Sequence, residues 1–189
     1  MESIRTFIAI HTPIEQELMD IWYGLKGLLK YDRVRWIQPD GVHLTLLFIG
    51  DTPLHKIDDI IDSIDNQVIN LSPFEITISN LGYFGSSRRP IILWFGVEAS
   101  QQLQELRDIV VREMSYFGFD KDEKPFKPHL TIGRAKSIAR IRGVKDFANQ
   151  CKGVSQRVLV SNLTLYKSEL HPDGPVYTPI KIFKLGVGG

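Results

Sequence analysis

Two His-Leu-Thr triplets are the residues of this sequence best suited to chemistry. His43-Leu44-Thr45 lies in the first half of the 189-residue chain, and His129-Leu130-Thr131 lies in the second. Alternate side chains of a β-strand share a face, so each histidine should point the same way as its threonine while the leucine enters the core. If the two strands are neighbours across a cleft, two imidazoles and two hydroxyls converge on one small volume.

Such a set of side chains suits the cleavage of a phosphodiester. The reaction needs a base on one side of phosphorus and an acid on the other, and histidine serves both roles because its unperturbed pKa is about 6.5. The threonine hydroxyls can donate to the non-bridging oxygens, which gain charge in the transition state. Arg134 follows Thr131 by three residues and adds a cation, and Gly133 permits a close backbone approach. A cyclic phosphate is strained and already holds its leaving oxygen, so we expect no metal and no cofactor.

Other readings of these residues are weaker. A lone His-Leu-Thr on a strand is usually structural, but two in similar settings among only five histidines favour a shared site. Zinc sites usually need three protein ligands with short histidine spacing, and a serine nucleophile usually stands in a Gly-x-Ser-x-Gly turn; the sequence has neither pattern. His11, His55 and His171 lie in turn or helix-start contexts, where surface positions are expected.

Composition limits the class of protein. The 23 Lys and Arg residues nearly balance the 22 Asp and Glu residues, so the chain as a whole is not built to wrap nucleic acid, and any such contact must be local. The single cysteine, Cys151, excludes an internal disulfide framework. The first ten residues indicate a strand rather than a signal peptide, and no apolar run is long enough to span a bilayer. We therefore expect a soluble, cytoplasmic protein.

Hydrophobic periodicity predicts an α+β fold in one domain over residues 1–189. Strands adjoin strands as often as helices, which disfavours a doubly wound parallel sheet. Thr12 is predicted to cap the first helix, with Pro13 at its first position. The predicted strands cover residues 6–10, 34–37, 42–49, 74–81, 91–97, 129–133, 158–167 and 176–185, and the predicted helices cover residues 13–28, 54–67, 103–117 and 138–150.

The chain resembles the two-histidine phosphoesterase superfamily and, more narrowly, the RNA 2′,3′-cyclic phosphodiesterases, historically called 2′-5′ RNA ligases. The triplets alone are typical of the superfamily, and the residues around them indicate the narrower group. These stretches extend over almost the whole chain: Arg5-Thr6-Phe7-Ile8-Ala9-Ile10, Val34-Arg35-Trp36-Ile37, Arg89-Pro90, Leu93-Trp94, Pro125-Phe126-Lys127-Pro128, Leu165-Tyr166-Lys167-Ser168 and Gly174-Pro175-Val176-Tyr177.

The resemblance implies a bilobal fold: two antiparallel-rich sheets related by a pseudo-twofold axis, with flanking helices and a central cleft. It implies hydrolysis of a 2′,3′-cyclic phosphate to a 2′-phosphate, with reversible 2′-5′ joining in some members. His43 would protonate the leaving oxygen and His129 would activate water. Thr45 and Thr131 would hold the phosphate, with Arg134 as a further anion contact. Leu47 departs from the family, where many relatives carry lysine, so a cation near the substrate would be missing.

The same resemblance implies the partners. These are RNA ends that carry a 2′,3′-cyclic phosphate, with tRNA halves among the candidates, or cyclic nucleotides; a membrane is not implied, and a monomer is expected. Two alternatives stay open. One is a non-catalytic protein that binds RNA ends or nucleotides, and the other is a cyclic phosphodiesterase for small molecules.

Overall fold

A computed structural model describes residues 2–86, 89–119, 125–171 and 174–186. Within these residues it shows four α-helices and nine β-strands, with two short 3₁₀ turns at Pro39–Gly41 and Leu54–Lys56. The helices are α1 (Gln16–Leu28), α2 (Ile57–Val68), α3 (Gln101–Tyr116) and α4 (Ile141–Gln150). The strands are β1 (Ser3–His11), β2 (Val34–Trp36), β3 (His43–Pro53), β4 (Phe74–Ser86), β5 (Arg89–Val97), β6 (His129–Ala135), β7 (Ser155–Val160), β8 (Asn162–His171) and β9 (Gly174–Lys184).

All nine strands belong to one antiparallel sheet with two matching halves. The strand order is β7-β4-β5-β6-β3-β1-β8-β9, and β2 pairs with β6 outside this path. The two strands that carry the triplets, β6 and β3, are therefore the innermost strands of their halves. The half with β3, β1, β8 and β9 is called the His43 lobe below, and the half with β6, β5, β4 and β7 is called the His129 lobe.

Each lobe carries a pair of helices. Helices α2 and α3 contact each other and reach β9 and β3 of the His43 lobe, whereas α4 contacts α1 and β4 of the His129 lobe. Helices α1 and α4 approach closely where the Phe147 ring lies against Gly24; a β-carbon at Gly24 would lie 2.8 Å from that ring. Within the described residues, no helix has the length and apolar character needed to cross a membrane.

The sheet differs from the sequence prediction in two ways. Residues 158–167 were expected as one strand, but the chain leaves β7 at Val160 and re-enters the sheet as β8 at Asn162, on the opposite lobe. The run Val158-Leu159-Val160-Ser161-Asn162 contains no Gly or Pro to mark that crossing. The two expected sheets are also joined into one, because β3 and β6 pair through Leu44 and Leu130.

The predicted start of the first helix was wrong. Helix α1 begins at Gln16 with Glu15 at its N-cap, rather than at Pro13 after Thr12. The intervening turn is held by Gln156 of β7, whose amide oxygen accepts from the Glu15 N–H at 2.9 Å and whose amide nitrogen donates to the Pro13 carbonyl at 2.8 Å. A side chain from a distant strand thus replaces the local cap, which the capping-box spacing could not reveal.

Candidate active site

The two triplets meet at the centre of the sheet. Leu44 pairs with Leu130 in antiparallel register, and both leucines are fully buried. Residues on either side of an antiparallel pair match in reverse order, so His43 lies across from Thr131 and His129 lies across from Thr45. The four polar side chains are half-buried on the opposite face from the leucines. The sheet continues on either side of this leucine pair with three further strands, and the two triplets lie on adjacent strands, as predicted.

Both imidazoles are held by the same hydrogen bond. His43 Nδ1 donates to the Gly41 carbonyl at 2.7 Å, and His129 Nδ1 donates to the Lys127 carbonyl at 2.6 Å. A carbonyl oxygen only accepts, so Nδ1 carries a hydrogen in each ring. Nε2 is therefore the atom of each histidine that can accept a proton as a base or lose one as an acid.

The same irregularity follows each triplet and decides which residues share the site face. On β6, Thr131 pairs with Trp94 but Gly133 pairs with Leu93, so Ile132 is an extra residue, a β-bulge. Regular alternation would put Arg134 on the face opposite Thr131, three residues away. The bulge shifts the alternation by one residue and returns Arg134, which is exposed, to the face of His129 and Thr131.

Strand β3 has the matching bulge. Thr45 pairs with Ala9 and Leu47 pairs with Ile8, which leaves Leu46 as the extra residue. Leu47 is consequently buried in the core, and Phe48 is the counterpart of Arg134 on the site face. The residue that departs from the family pattern does not border the cleft in this structure. The two lobes differ instead at the position three residues after each threonine, which is Phe48 in the His43 lobe and Arg134 in the His129 lobe.

Aromatic rings surround the two histidines unequally. The Tyr177 ring stands edge-on to His43, with centroids 5.0 Å apart and planes at 88°, and Phe7 lies 4.9 Å from the same imidazole. Tyr166 stacks on Phe7 at 5.1 Å and completes this cluster. None of these rings was predicted to lie at the site, although Phe7, Tyr166 and Tyr177 all belong to the stretches that resemble the family.

In the described part of the His129 lobe, one ring matches this arrangement. Phe84 stands edge-on to His129, with centroids 5.0 Å apart and planes at 90°, and it also contacts Trp94 at 5.0 Å. Phe84 was not predicted, because it lies on an extension of β4 beyond residue 81, where the sequence was read as a loop.

Both histidines are poised to be neutral in the free protein. Burial lowers the pKa of His43 to about 4, against the opposing effect of its bond to Gly41, and Arg134 lowers it further. Burial also lowers the pKa of His129, again with a contribution from Arg134. Burial raises the pKa of Tyr177, so its hydroxyl stays protonated and can donate. The arrangement provides two proton acceptors, with Arg134 as an exposed cation that acts on both.

Two cavities open beside the triplets. One, of about 590 Å³, includes His43 and the rings of Trp36, Tyr166 and Tyr177 in its lining. The other, of about 400 Å³, includes His129 in its lining. We call them the His43 cavity and the His129 cavity.

Of the remaining three histidines, two line the His43 cavity and one lies elsewhere on the surface. His11 and His171 are exposed, as expected, yet both line the His43 cavity, and His11 pairs with His43 across β1 and β3. His55 is exposed in a 3₁₀ turn and lines neither cavity. Among the described residues, no group of three or more His, Cys, Asp or Glu side chains is arranged to hold a metal ion.

Comparison with known proteins identifies the family. The 2′-5′ RNA ligase superfamily matches residues 20–172, a span that includes both triplets. This chain belongs to the 2′-5′ RNA ligase superfamily. The superfamily match agrees with the resemblance seen in the triplets and their flanking residues.

Relatives within the superfamily are similar over their full length. An RNA 2′,3′-cyclic phosphodiesterase of Methanothermobacter thermautotrophicus is 30% identical over 186 residues, covering 97% of this chain and 100% of the relative. A protein of the same name from Aquifex aeolicus is 33% identical over 190 residues, covering 98% of this chain and 100% of the relative.

Solved structures share the fold of this superfamily member. E. coli LigT complexed with 3′-AMP superposes with a TM-score of 0.77 at 22% identity, covering 97% of this chain and 99% of LigT. A protein described as a phosphoesterase superposes with a TM-score of 0.78 at 24% identity, covering 98% and 100% of the two chains. The expected α+β class and the antiparallel character of the sheet are confirmed.

Proposed function

We propose that this protein hydrolyses the terminal 2′,3′-cyclic phosphate of RNA to a 2′-phosphate, without a metal, by acid–base catalysis from His43 and His129. The observation that carries the proposal is the central pair Leu44–Leu130, which sets the two histidines on either side of one point on the sheet. Each Nε2 is left free by the bond at Nδ1. The names of the full-length relatives support the same substrate class.

Thr45, Thr131 and Arg134 are proposed to bind the phosphate. The threonine hydroxyls flank the leucine pair on the site face, where they can donate to the two non-bridging oxygens. Arg134 brings a guanidinium to the same face, and guanidinium is suited to two-point contact with phosphate. The exposed position of Arg134 leaves it free to meet an incoming RNA end.

We assign the proton donor to His43 and the acceptor to His129. In the free protein this donor is neutral near pH 7, because burial holds the pKa of His43 at about 4. An anionic phosphate between the imidazoles offsets the charge of Arg134 and favours the protonated ring, so the donor gains its proton as the substrate binds. His129, which is less enclosed by aromatic rings, faces the side from which water attacks.

The cellular setting completes the proposal. We place the enzyme in the cytoplasm as a monomer, with residues 1–189 forming one bilobal domain that has one triplet per lobe. The continuous sheet across both lobes supports the single domain. The lone thiol, Cys151, whose pKa is raised by burial, is consistent with a reducing compartment. RNA ends with a cyclic phosphate, such as tRNA halves, are the proposed substrates.

One assay tests the function. The protein is given an RNA oligomer with a 2′,3′-cyclic phosphate end and, separately, cyclic mononucleotides, both with excess chelator. We expect turnover to a 2′-phosphate on both, with a higher kcat/KM on the RNA. Turnover of mononucleotides alone would indicate a small-molecule enzyme, saturable binding without turnover would indicate a binding protein, and activity restored only by added metal would contradict the acid–base mechanism.

A further inference from the structure

Strand β2 places a second arginine directly beside Arg134. The register of β2 on β6 pairs Arg35 with Arg134, so the two side chains lie on the same face of the sheet. Both are exposed, and neither forms an ion pair with any residue that the structure describes. Like charges that are directly opposed across two strands are destabilising. A bound anion would relieve this repulsion, so the pair favours an anion at this position.

Two more cations follow this pair at the end of the sheet. Arg33 and Lys136 come just beyond the β2–β6 ladder, two residues from Arg35 and from Arg134 respectively. Both are exposed. Alternate residues of a strand are spaced about 7 Å apart, so the cationic groups continue outward from the proposed phosphate position without a gap.

One hydrogen bond brings further cations alongside. The Asp32 carboxylate accepts from the Ala139 N–H at 2.7 Å, which joins the turn before β2 to the turn before α4. Lys30 lies in the first of these turns, and Arg140 and Arg142 lie at the start of α4. Cations at the start of a helix oppose the helix dipole, and the first turn of α4 has no acidic residue to offset them. Helix stability therefore does not explain their placement.

These six exposed side chains are called the basic surface below. Among the described residues, none of the six forms a side-chain hydrogen bond or an ion pair. The basic surface consists of Lys30, Arg33, Arg35, Lys136, Arg140 and Arg142.

Charge is distributed unevenly between this region and the rest of the chain. Residues 26–36 and 134–150, which contain the basic surface, hold nine of the 23 Lys and Arg residues but two of the 22 Asp and Glu residues. The other 161 residues, with fourteen basic and twenty acidic side chains, therefore carry a net charge of −6. Such a local excess of positive charge on an otherwise acidic chain attracts a polyanion to one surface.

Exposed tyrosines lie among these cations. Tyr31 is 83% exposed, with the Lys30 ammonium 4.8 Å from its ring centroid, and Tyr23 is 56% exposed. The Lys26 ammonium lies 5.5 Å from the Tyr23 ring and 5.7 Å from the ring of Trp36, which lines the His43 cavity. Proteins that bind single-stranded nucleic acid combine cations for the phosphates with open aromatic rings on which the bases stack.

We propose that the basic surface binds the single-stranded body of an RNA whose cyclic end lies at the two histidines, an inference that rests on the proposed function. The strand leaves the phosphate position at Arg134, passes Arg35 and continues along the basic surface towards α4. A mononucleotide is too short to follow this path. The basic surface therefore gives the enzyme a preference for RNA over cyclic mononucleotides, and this preference weakens as salt is added.

The test compares two substrates over a range of salt. The full chain receives a single-stranded RNA dodecamer with a 2′,3′-cyclic phosphate and, separately, the cyclic mononucleotide of the same base, at about 50 to 200 mM salt. Each phosphate contact of a single strand contributes about 0.7 to the slope of log affinity against log salt. For about three to six contacts, we expect log kcat/KM of the dodecamer to fall with a slope about 2 to 4 steeper than that of the mononucleotide.

A matched pair of double variants assigns the effect to this surface. One combines Arg33→Gln with Arg142→Gln, and the control combines Arg157→Gln with Lys184→Gln, two exposed cations on the outermost strands β7 and β9. We expect the first to lower the ratio of kcat/KM on the dodecamer to kcat/KM on the mononucleotide about 4- to 9-fold at low salt, at about two- to threefold for each exposed ion pair. The control should leave this ratio within about twofold.

Three outcomes overturn the proposed RNA path. They are a ratio that does not change in the first double variant, a ratio that falls equally in the control, and equal salt slopes for the two substrates. The last is expected if the basic surface binds an acidic protein instead. If neither substrate is hydrolysed, the proposed function is contradicted, and fluorescence anisotropy with the same RNA still tests the surface. In that assay the first variant should bind about 4- to 9-fold more weakly than the control.

Discussion

The His43 lobe and the His129 lobe hold their triplets in the same local arrangement. In each, the histidine Nδ1 donates to the carbonyl two residues earlier, an aromatic ring stands edge-on 5.0 Å away, and a bulge follows the threonine. These shared features set the tautomer and direction of each imidazole. The similarity of the two lobes therefore accounts for why each strand presents a free Nε2.

The lobes differ in the residues that surround each triplet. Three aromatic side chains lie within about 6 Å of the His43 ring. Burial lowers the pKa of His43 to about 4. Among the residues that the structure describes, His129 has one such neighbour, Phe84. After the bulge in β6 comes Arg134, at the position that Phe48 occupies in the His43 lobe. Two identical triplets in unequal surroundings can perform different steps, one as acid and one as base.

Removal of either imidazole should have the largest effect. We expect His43→Ala and His129→Ala each to lower kcat on a cyclic phosphate by about 10²–10⁴-fold, the contribution of a positioned acid or base. His55→Ala, a histidine outside both cavities, is the control and should retain full activity. If either triplet variant kept near-full activity, the two-histidine mechanism would be wrong.

The threonines should come next. Thr45→Val and Thr131→Val keep the side-chain shape and remove the hydroxyl that we propose donates to a non-bridging oxygen in the transition state. We expect each to lower kcat by about 10- to 100-fold, less than the loss of a fully enclosed oxyanion donor, because both side chains are only half-buried. Steady-state kinetics and thermal unfolding of the same samples separate this loss from a loss of stability, which should be small.

Exchange of Arg134 and Phe48 tests the asymmetry directly. Arg134→Gln should raise KM about tenfold at low salt and less at high salt, because an exposed cation acting on a phosphate is screened by ions. Adding Phe48→Arg to this variant returns a cation to the site face from the other lobe, and we expect part of the KM loss to be recovered. No recovery would show that the phosphate binds only near β6.

The pH profile should be displaced to the acid side. Catalysis needs one neutral and one protonated imidazole, so kcat/KM should rise through a pKa of about 4 and fall through a second pKa below 6.5. Tyr177→Leu admits water to His43 and should move the rising limb to higher pH. Phe84→Leu does the same for His129 and should move the falling limb towards 6.5. If both variants moved the same limb of the pH profile, the pKa values of His43 and His129 would not be set by separate surroundings.

Most of the proposed site residues could be predicted from the sequence, because strand alternation depends only on residues that are close together in the chain. The same-face placement of His43 with Thr45 and of His129 with Thr131 needed only the two-residue period. Arg134 was predicted to be a site residue because it is close to Thr131 in sequence. Strict strand alternation, however, would place its side chain on the opposite face of β6. A bulge, which depends on pairing with β5, restores it to the site.

What the sequence did not show arises from contacts between distant segments. The cap of α1 comes from Gln156, the strand break at Ser161 comes from the crossing between lobes, and the ring beside His129 comes from an extension of β4. None of these has a local pattern in the chain. The lowered pKa of His43 likewise follows from its burial, and the rings that contact it, Phe7, Tyr166 and Tyr177, come from both ends of the sequence.

The most direct test of unequal roles replaces the bridging 3′ oxygen of the cyclic phosphate by sulfur. A thiolate leaves without being protonated, so loss of the general acid matters little with this substrate. We predict that His43→Ala cleaves the sulfur substrate within about tenfold of the wild-type rate, while His129→Ala stays impaired by about 10²-fold or more. The opposite pattern, with His129→Ala rescued and His43→Ala impaired, would contradict the assignment of the two lobes.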